Sequence, residues 1–195
     1  NKDKSWGFYV NNLGRNVIKK YAEYPSMDHP DQYIFTWNKG RILNEFHIVL
    51  ITKGEGIFES KATGKIKVSD GDVFLLFPDV WHRYKPKKVV GWTERWVGFS
   101  GEIANQFLSN GFFSANEPVI SKCNKPAILN HFNSLFKLFD EELYGNQHIA
   151  SGICIQLMAE LHNIKSGGNN LEHLNSMISQ AKSIIYKNIN NTINL

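Results

Sequence analysis

GDVFLLFPDVWHRYKP occupies residues 71–86. A Gly-Asp turn opens it, Val73 to Phe77 is apolar without a break, and Pro78 precedes Trp81, His82, Arg83 and Tyr84. A short apolar run bounded by turn residues reads as a strand buried on both faces. The strand after it, 81–85, is the informative one. Side chains two apart on a strand share a face, so His82 and Tyr84 arrive in the same small space. Either the pair lines a pocket or it closes the end of a β-barrel.

Working outward, the chain changes character near residue 100. Before it, DQYIFTW (31–37), FHIVLIT (46–52), GIFES (56–60), KIKV (65–68), VFLLF (73–77) and TERWVGF (93–99) join 81–85 as strands rich in Ile, Val, Phe, Tyr and Trp. Gly40, Gly54, Gly56, Gly64, Gly71 and Gly91 punctuate them. Strands of this length and spacing predict an antiparallel barrel or sandwich. Residues 1–25 contain less pattern and read as an arm laid on the barrel.

After residue 100 the period becomes helical. Residues 127–145 place Ile128, Phe132, Leu135, Phe136, Phe139 and Leu143 on one stripe, with Pro126 at the start and Gly145 at the stop. Residues 148–165 align Ile149, Ile153, Leu157, Leu161 and Ile164, with Cys154 and Met158 on a neighbouring stripe. Two stripes mean either one wide core face or two contacts, the second with another subunit. SGGNN (166–170) has linker composition. A further amphipathic helix begins after it, through Ile178, Ala181, Ile185 and Ile189. It is either a docking helix or the first element of another domain.

The composition is that of a globular chain: of 195 residues, 42% are hydrophobic and 21% charged. The net charge of +4 is mild, and the Lys and Arg residues form no run that marks a nucleic-acid surface. Cys123 and Cys154 stand apart, and the first residue is Asn rather than Met. With no signal peptide in view, the expectation is reduced thiols in a shortened chain of cytoplasmic location. No apolar stretch reaches the roughly 20 residues of a membrane span. There is no Gly-x-Ser-x-Gly elbow, no phosphate-cradling Gly-rich loop and no recognisable Cys–His spacing.

A small β-barrel with histidines is similar to the cupins, whose enzymes hold a metal through His-x-His, a Glu and a later His. Counted back from Gly54, the Glu position falls on His47 and the two His positions fall near Arg41 and Leu43; His82 matches the last ligand. A guanidinium does not ligate a cation and Leu has no lone pair, so the metal triad is absent and no cofactor is expected. His47 and His82 are then either satisfied core histidines or ligand contacts.

NEFHIVLITKGEGIFES, GKIKVSDGDVFLLFPDVWHRYKP and GWTERWVGFSG, taken together, resemble the sensor domain of AraC-family transcription regulators. The likeness covers about residues 5–165 and is most specific from Gly71 through Pro78 and His82 to Tyr84, and in TERWVGF. It implies a mainly β chain with C-terminal helices: a cupin-like antiparallel β-barrel that binds a small effector, then a helical dimerisation segment. The tail from Ile178 resembles the opening helix of the DNA-binding domain of that family, and the sequence stops before either helix-turn-helix. In sugar-sensing members an Arg, a Tyr and residues of the W-V-x-F strand meet inside the barrel. Carried over, these are Arg41, Tyr84, the stacking ring Trp96 and the polar Glu94, where relatives often have His. His47 and His82 join them, and the arm that closes over the ligand includes Trp6, Phe8, Tyr9 and Asn12.

The chemistry of the residues agrees. A sugar needs an aromatic plane together with charged or bidentate hydrogen-bonding groups. Glu94 and Trp96 share a face of their strand. If that face is inward, Glu94 must be paired, by Arg41 or by a ligand hydroxyl. A Glu94–Arg41 salt bridge with Trp96 as plain core is the competing reading. The expected organisation is an arm (1–25), an effector-binding barrel (26–120), a helical dimerisation segment (121–165) using Ile149, Ile153, Leu157, Met158 and Leu161, a linker (166–175) and the start of a DNA-binding domain (176–195). The expected partners are a saccharide effector and a second copy of the chain, with DNA reached only through the missing domain and no membrane. A metal-dependent cupin enzyme and a ligand-free interaction barrel are the alternatives.

Overall fold

The computed structural model describes residues 2–25, 36–140 and 146–188. After a single turn, α1 (Lys2–Ser5), come β1 (Tyr9–Ile18), β2 (Phe46–Ser60), β3 (Gly64–Ser69), β4 (Val73–Leu76), β5 (His82–Pro86) and β6 (Trp92–Ser100). Helix α2 (Glu102–Ser109) and the short β7 (Val119–Ile120) lead to α3 (Pro126–Asp140), α4 (Asn146–Lys165) and α5 (Gly168–Lys187). The expected order, strands and then helices, holds.

The two strands expected at 46–52 and 56–60 are one bent strand. The first part of β2 pairs with β6 and β4, and the second part with β3 and β5. The change of partners sits beside a register shift between Ile51 and Lys53, as a bulge that bends a strand would place it. Gly54 follows at φ 92°, and a Cβ there would come within 2.2 Å of the Gly91 carbonyl oxygen. Only glycine lets the backbones approach so closely.

The strand order is β1-β6-β2-β4-β7, with β3 and β5 both on β2. The expected closed barrel is therefore an open arrangement: among the described residues no ladder joins one edge to the other. The arm is also revised, because Tyr9–Ile18 is a full edge strand in register with β6. Its sequence, YVNNLGRNVI, offers few apolar positions to read. Of the expected strand 31–37, residues 31–35 lie outside the described residues.

Side chains divide between two cores. Val49, Ile51, Phe58, Phe74, Leu76, Tyr84 and Trp92 fill the inner face of the sheets. Phe8, Phe46, Ile48, Leu50, Val97 and Phe99 face the other way, against Ile128, Phe132 and Leu135 of α3 and Cys154, Leu157 and Leu161 of α4. Every residue of β4 is buried because Phe74 and Leu76 serve one core while Val73 and Leu75 serve the other. That accounts for the unbroken apolar run.

Helix α4 buries Ala150, Ser151, Cys154, Leu157, Met158 and Leu161. Leu157, Met158 and Leu161, expected at an interface, therefore pack in their own core, while Ile149 is 55% exposed and Ile153 is half-buried. The wide core face is the reading that applies to them. Small residues at 150 and 151 let the helix approach β1. There the Gln147 side chain donates from Nε2 to the Val10 carbonyl at 2.9 Å, and its Oε1 accepts from the Val10 N–H at 3.2 Å. Ser151 Oγ lies 2.8 Å from the Phe8 carbonyl. The helix thus caps an open strand edge. The stretch expected as a linker is a turn at Ser166–Gly167 followed directly by α5.

Candidate functional site

Strand β5 alternates buried and half-buried residues, with His82 and Tyr84 inward. Arg41 is held beside them by an isolated bridge to His82, each backbone N–H donating to the other residue's carbonyl at 2.9 Å. Its Nη2 donates to Tyr84 Oη at 2.7 Å and its Nε to His82 Nε2 at 3.3 Å. With Nε2 accepting, the other ring nitrogen, Nδ1, donates to the Val80 carbonyl at 3.0 Å. Burial, with the Arg41 charge beside it, lowers the His82 pKa to about 3, so this histidine is neutral.

Strand β6 supplies Glu94 and Trp96 from the same inner face. Glu94 is 3% exposed. Its carboxyl accepts from the Tyr24 hydroxyl, with Oε2 at 3.3 Å and Oε1 at 3.5 Å. Burial pushes its pKa up to about 8, and the Tyr24 bond and the Arg41 charge only partly oppose this. Tyr24 thus makes the hydrogen bond to the acid, where the expected partner is Arg41 or a ligand hydroxyl; Arg41 bonds Tyr84 and His82. Trp96 is half-buried, and its ring lies flat on β1: a Cβ at Gly14 would be 2.1 Å from Trp96 Cζ2. Tyr84 and Trp92, 6.2 Å apart between ring centres, and Phe74, 5.0 Å from Tyr84, complete aromatic walls.

Arg41, His82, Tyr84 and Glu94 therefore belong to one inner group, with Trp96 as a wall. His47 shares that sheet face but bonds elsewhere, its Nε2 lying 2.8 Å from Glu45 Oε1. The Glu45 carboxylate also accepts from Asn12 Nδ2 at 2.8 Å and from Asn11 Nδ2. This second group borders a cleft of about 600 Å³. Tyr9 lines the cleft, with the Lys4 ammonium 5.9 Å from its ring centre. Phe8 is in neither place: it stacks on Phe99 at 5.0 Å in the helix-facing core. Trp6 lies 4.5 Å from the His148 ring, also away from the inner group.

Tyr24 and Glu45 were not singled out in the sequence. Tyr24 had one available signal, an aromatic residue beside Pro25 in a segment without period. Glu45 sits one residue before β2 and has no pattern of its own.

The inner group offers a cation, two phenols, a neutral imidazole and a carboxyl of raised pKa, enclosed by rings. Such a set can hold a small ligand by hydrogen bonds and stacking. Burial pushes the Cys123 and Cys154 thiols up, and both lie in the helix-facing core. Among the described residues, no group of three or more His, Cys, Asp or Glu could hold a metal ion. No helix among them is long and apolar enough to cross a membrane.

Three solved structures give the scale of the structural likeness. ToxT from Vibrio cholerae is 15% identical with a TM-score of 0.41, over 80% of this chain and 58% of its own. YhaK from Escherichia coli is 15% identical with a TM-score of 0.34, over 48% of this chain and 37% of its own. HEPD from Streptomyces albus is 12% identical with a TM-score of 0.28, over 83% of this chain and 45% of its own. The chain thus spans well under two thirds of each. No curated protein matches the sequence. The family model described as the AraC-like ligand binding domain matches residues 21–158, most of the chain and all of the inner group, and the chain belongs to that family.

Proposed function

We propose that the chain senses a small effector for a DNA-binding transcription regulator, and that the effector is a mono- or oligosaccharide. The observation that carries this reading is the meeting of Arg41, Tyr84 and Glu94 against Trp92 and Trp96 on the inward face of the sheet. A saccharide presents hydroxyls at its rim and C–H groups on its faces. The charged and phenolic groups suit the first and the rings suit the second. Trp96 is the stacking ring, and Arg41, Tyr84 and Glu94 are the polar contacts. The family favours a regulator over an enzyme.

The regulator is a homodimer in this reading. Exposed Ile149, Gly152, Gln156, Ala159 and Asn163 recur along α4 at alternating three- and four-residue steps, the spacing of a helix seam. On α5, Met177, Ile178, Ile184 and Ile185 form an exposed apolar stripe, which suits the first helix of a DNA-reading domain. DNA is then reached through that domain, in the cytoplasm.

A thermal-shift screen against mono- and oligosaccharides tests the reading. A ligand that binds only the folded chain adds about 2.7 kcal/mol at a hundredfold excess over Kd. The expected result is a shift with one sugar that Trp96→Ala and Glu94→Ala both abolish. No shift with any sugar, beside one with a divalent metal, would replace the sensor by a metal-dependent enzyme.

A further inference from the structure

The site already holds a ring that bears a hydroxyl, and that ring is the chain's own. We propose that Tyr24 is an internal stand-in for the effector, which binds by displacing it. This rests on the effector-sensing reading above and narrows the effector to a ring whose hydroxyl takes over Glu94.

The geometry is that of an occupied subsite. Tyr24 points its hydroxyl at both oxygens of a buried acid, at 3.3 and 3.5 Å. Its ring meets Trp92 edge-on at 5.9 Å and Tyr84 at 6.2 Å. Those are the contacts a small cyclic polyol or phenol would make: a hydroxyl on a carboxyl and a ring among rings. The two oxygen distances are at the long limit of hydrogen bonding, so these two bonds to the acid are weak ones. Glu94 keeps its proton at neutral pH and can both donate and accept, which suits the exchange of one hydroxyl for another.

Tyr24 is also placed to leave. It borders an outer cleft of about 1010 Å³, shared with Trp37, Ile57 and Lys85. The segment carrying it turns off β1 at Tyr21, whose φ is 65°, and is tied there by the Tyr21 N–H donating to the Lys88 carbonyl at 2.7 Å. Residues 22–25 lie beyond that tether, with the Ala22 N–H donating to the Lys19 carbonyl at 3.1 Å; in this proposal Tyr24 moves into the outer cleft while β1 stays paired.

The test uses Tyr24→Ala, the double variant Tyr24→Ala/Glu94→Leu, which removes the hydrogen-bonding group, and two probes: phenol and the saccharide panel. Tyr24→Leu, which keeps an apolar side chain for the core, replaces Tyr24→Ala if that variant does not fold. Phenol should raise the melting temperature of the Tyr24 variant, and of neither the wild type nor the double variant. A panel sugar that binds the wild type should bind the Tyr24 variant about tenfold more tightly, because the closed state no longer competes. Equal or weaker sugar binding overturns the stand-in and leaves the sensor reading intact. Phenol binding with no sugar bound to either protein upholds the stand-in and removes the saccharide. If neither probe binds the Tyr24 variant, the stand-in is wrong.

Discussion

Replacing Glu94 by Gln should change how stability depends on pH, and the structure sets the size of the change. The carboxyl is buried, and its pKa rises from 4.5 to about 8 on folding. A raised acid holds its proton more tightly when folded. Its contribution to stability is therefore complete below pH 4.5 and lost as pH climbs through about 8. The full loss is about 5 kcal/mol, or about 1.4 kcal/mol per pH unit between those limits. Gln has nearly the same shape, accepts the Tyr24 hydroxyl and does not titrate. His47 and His82 act in the opposite sense: burial lowers both, so stability falls as pH drops below their usual 6.5. Both variants contain them, and their effect cancels in the difference. Urea unfolding followed by far-ultraviolet circular dichroism, at several pH values from about 5 to about 8, gives that difference. Glu94→Gln should gain on the wild type at each step upward. Two stability curves that run parallel across the range would refute the reasoning, because Glu94 would then titrate alike in the folded and unfolded chain.

Three further outcomes follow from single contacts. Gly14→Ala puts a methyl 2.1 Å from Trp96 Cζ2 and should cost about 1–3 kcal/mol, with a red-shifted tryptophan emission as the ring moves toward water; an unchanged spectrum would mean the ring is not seated on β1. Gln147→Ala leaves the Val10 N–H and carbonyl without their side-chain partner and should cost about 1–3 kcal/mol. Amide exchange at Val10 should speed while exchange in β4 stays slow. Ile149→Glu should leave the far-ultraviolet circular dichroism of the folded chain unchanged, since Ile149 is exposed within the chain, and should lower the sedimentation coefficient to that of a monomer if α4 forms the dimer seam.

Much of this was legible because the relevant signals are local. The run Val73–Phe77 announced a strand between two cores, and alternation placed His82 with Tyr84 and Glu94 with Trp96. Pro126 marked the start of α3. The misses have one cause, which is that tertiary partners override local pattern. β1 carries Asn11, Asn12, Gly14, Arg15 and Asn16, a composition that argues against a strand, yet nine of its residues pair with β6. Gly14 is there for the Trp96 ring, and Asn11 and Asn12 for Glu45. Phe8 looks like a pocket aromatic until Phe99 and α4 claim it. In α4, Leu157 and Ile149 are indistinguishable by spacing, and only the position of the sheet decides which one is buried.

β1 gives the site its connection to the rest of the chain. On its inner face Gly14 carries the Trp96 ring, and four residues earlier the same strand takes the Gln147 side chain and passes Ser151. A strand advances about 3.3 Å per residue, so the two contacts are roughly 13 Å apart. That exceeds the separation at which substitutions usually influence each other. What spans the gap is a single β-strand in continuous register with β6 from Asn12 to Ile18, broken only by the shift at Val10 and Asn12. The break falls where α4 takes hold. At its other end β1 runs through Tyr21 into the segment that carries Tyr24. A ligand that moves Trp96 or Tyr24 therefore acts on the strand whose edge α4 grips. Ile149, Gly152 and Gln156, exposed on α4 and proposed as its dimer seam, lie within two turns of that grip. The polar, weakly patterned strand that the sequence concealed is thus the element through which the pocket meets the helices.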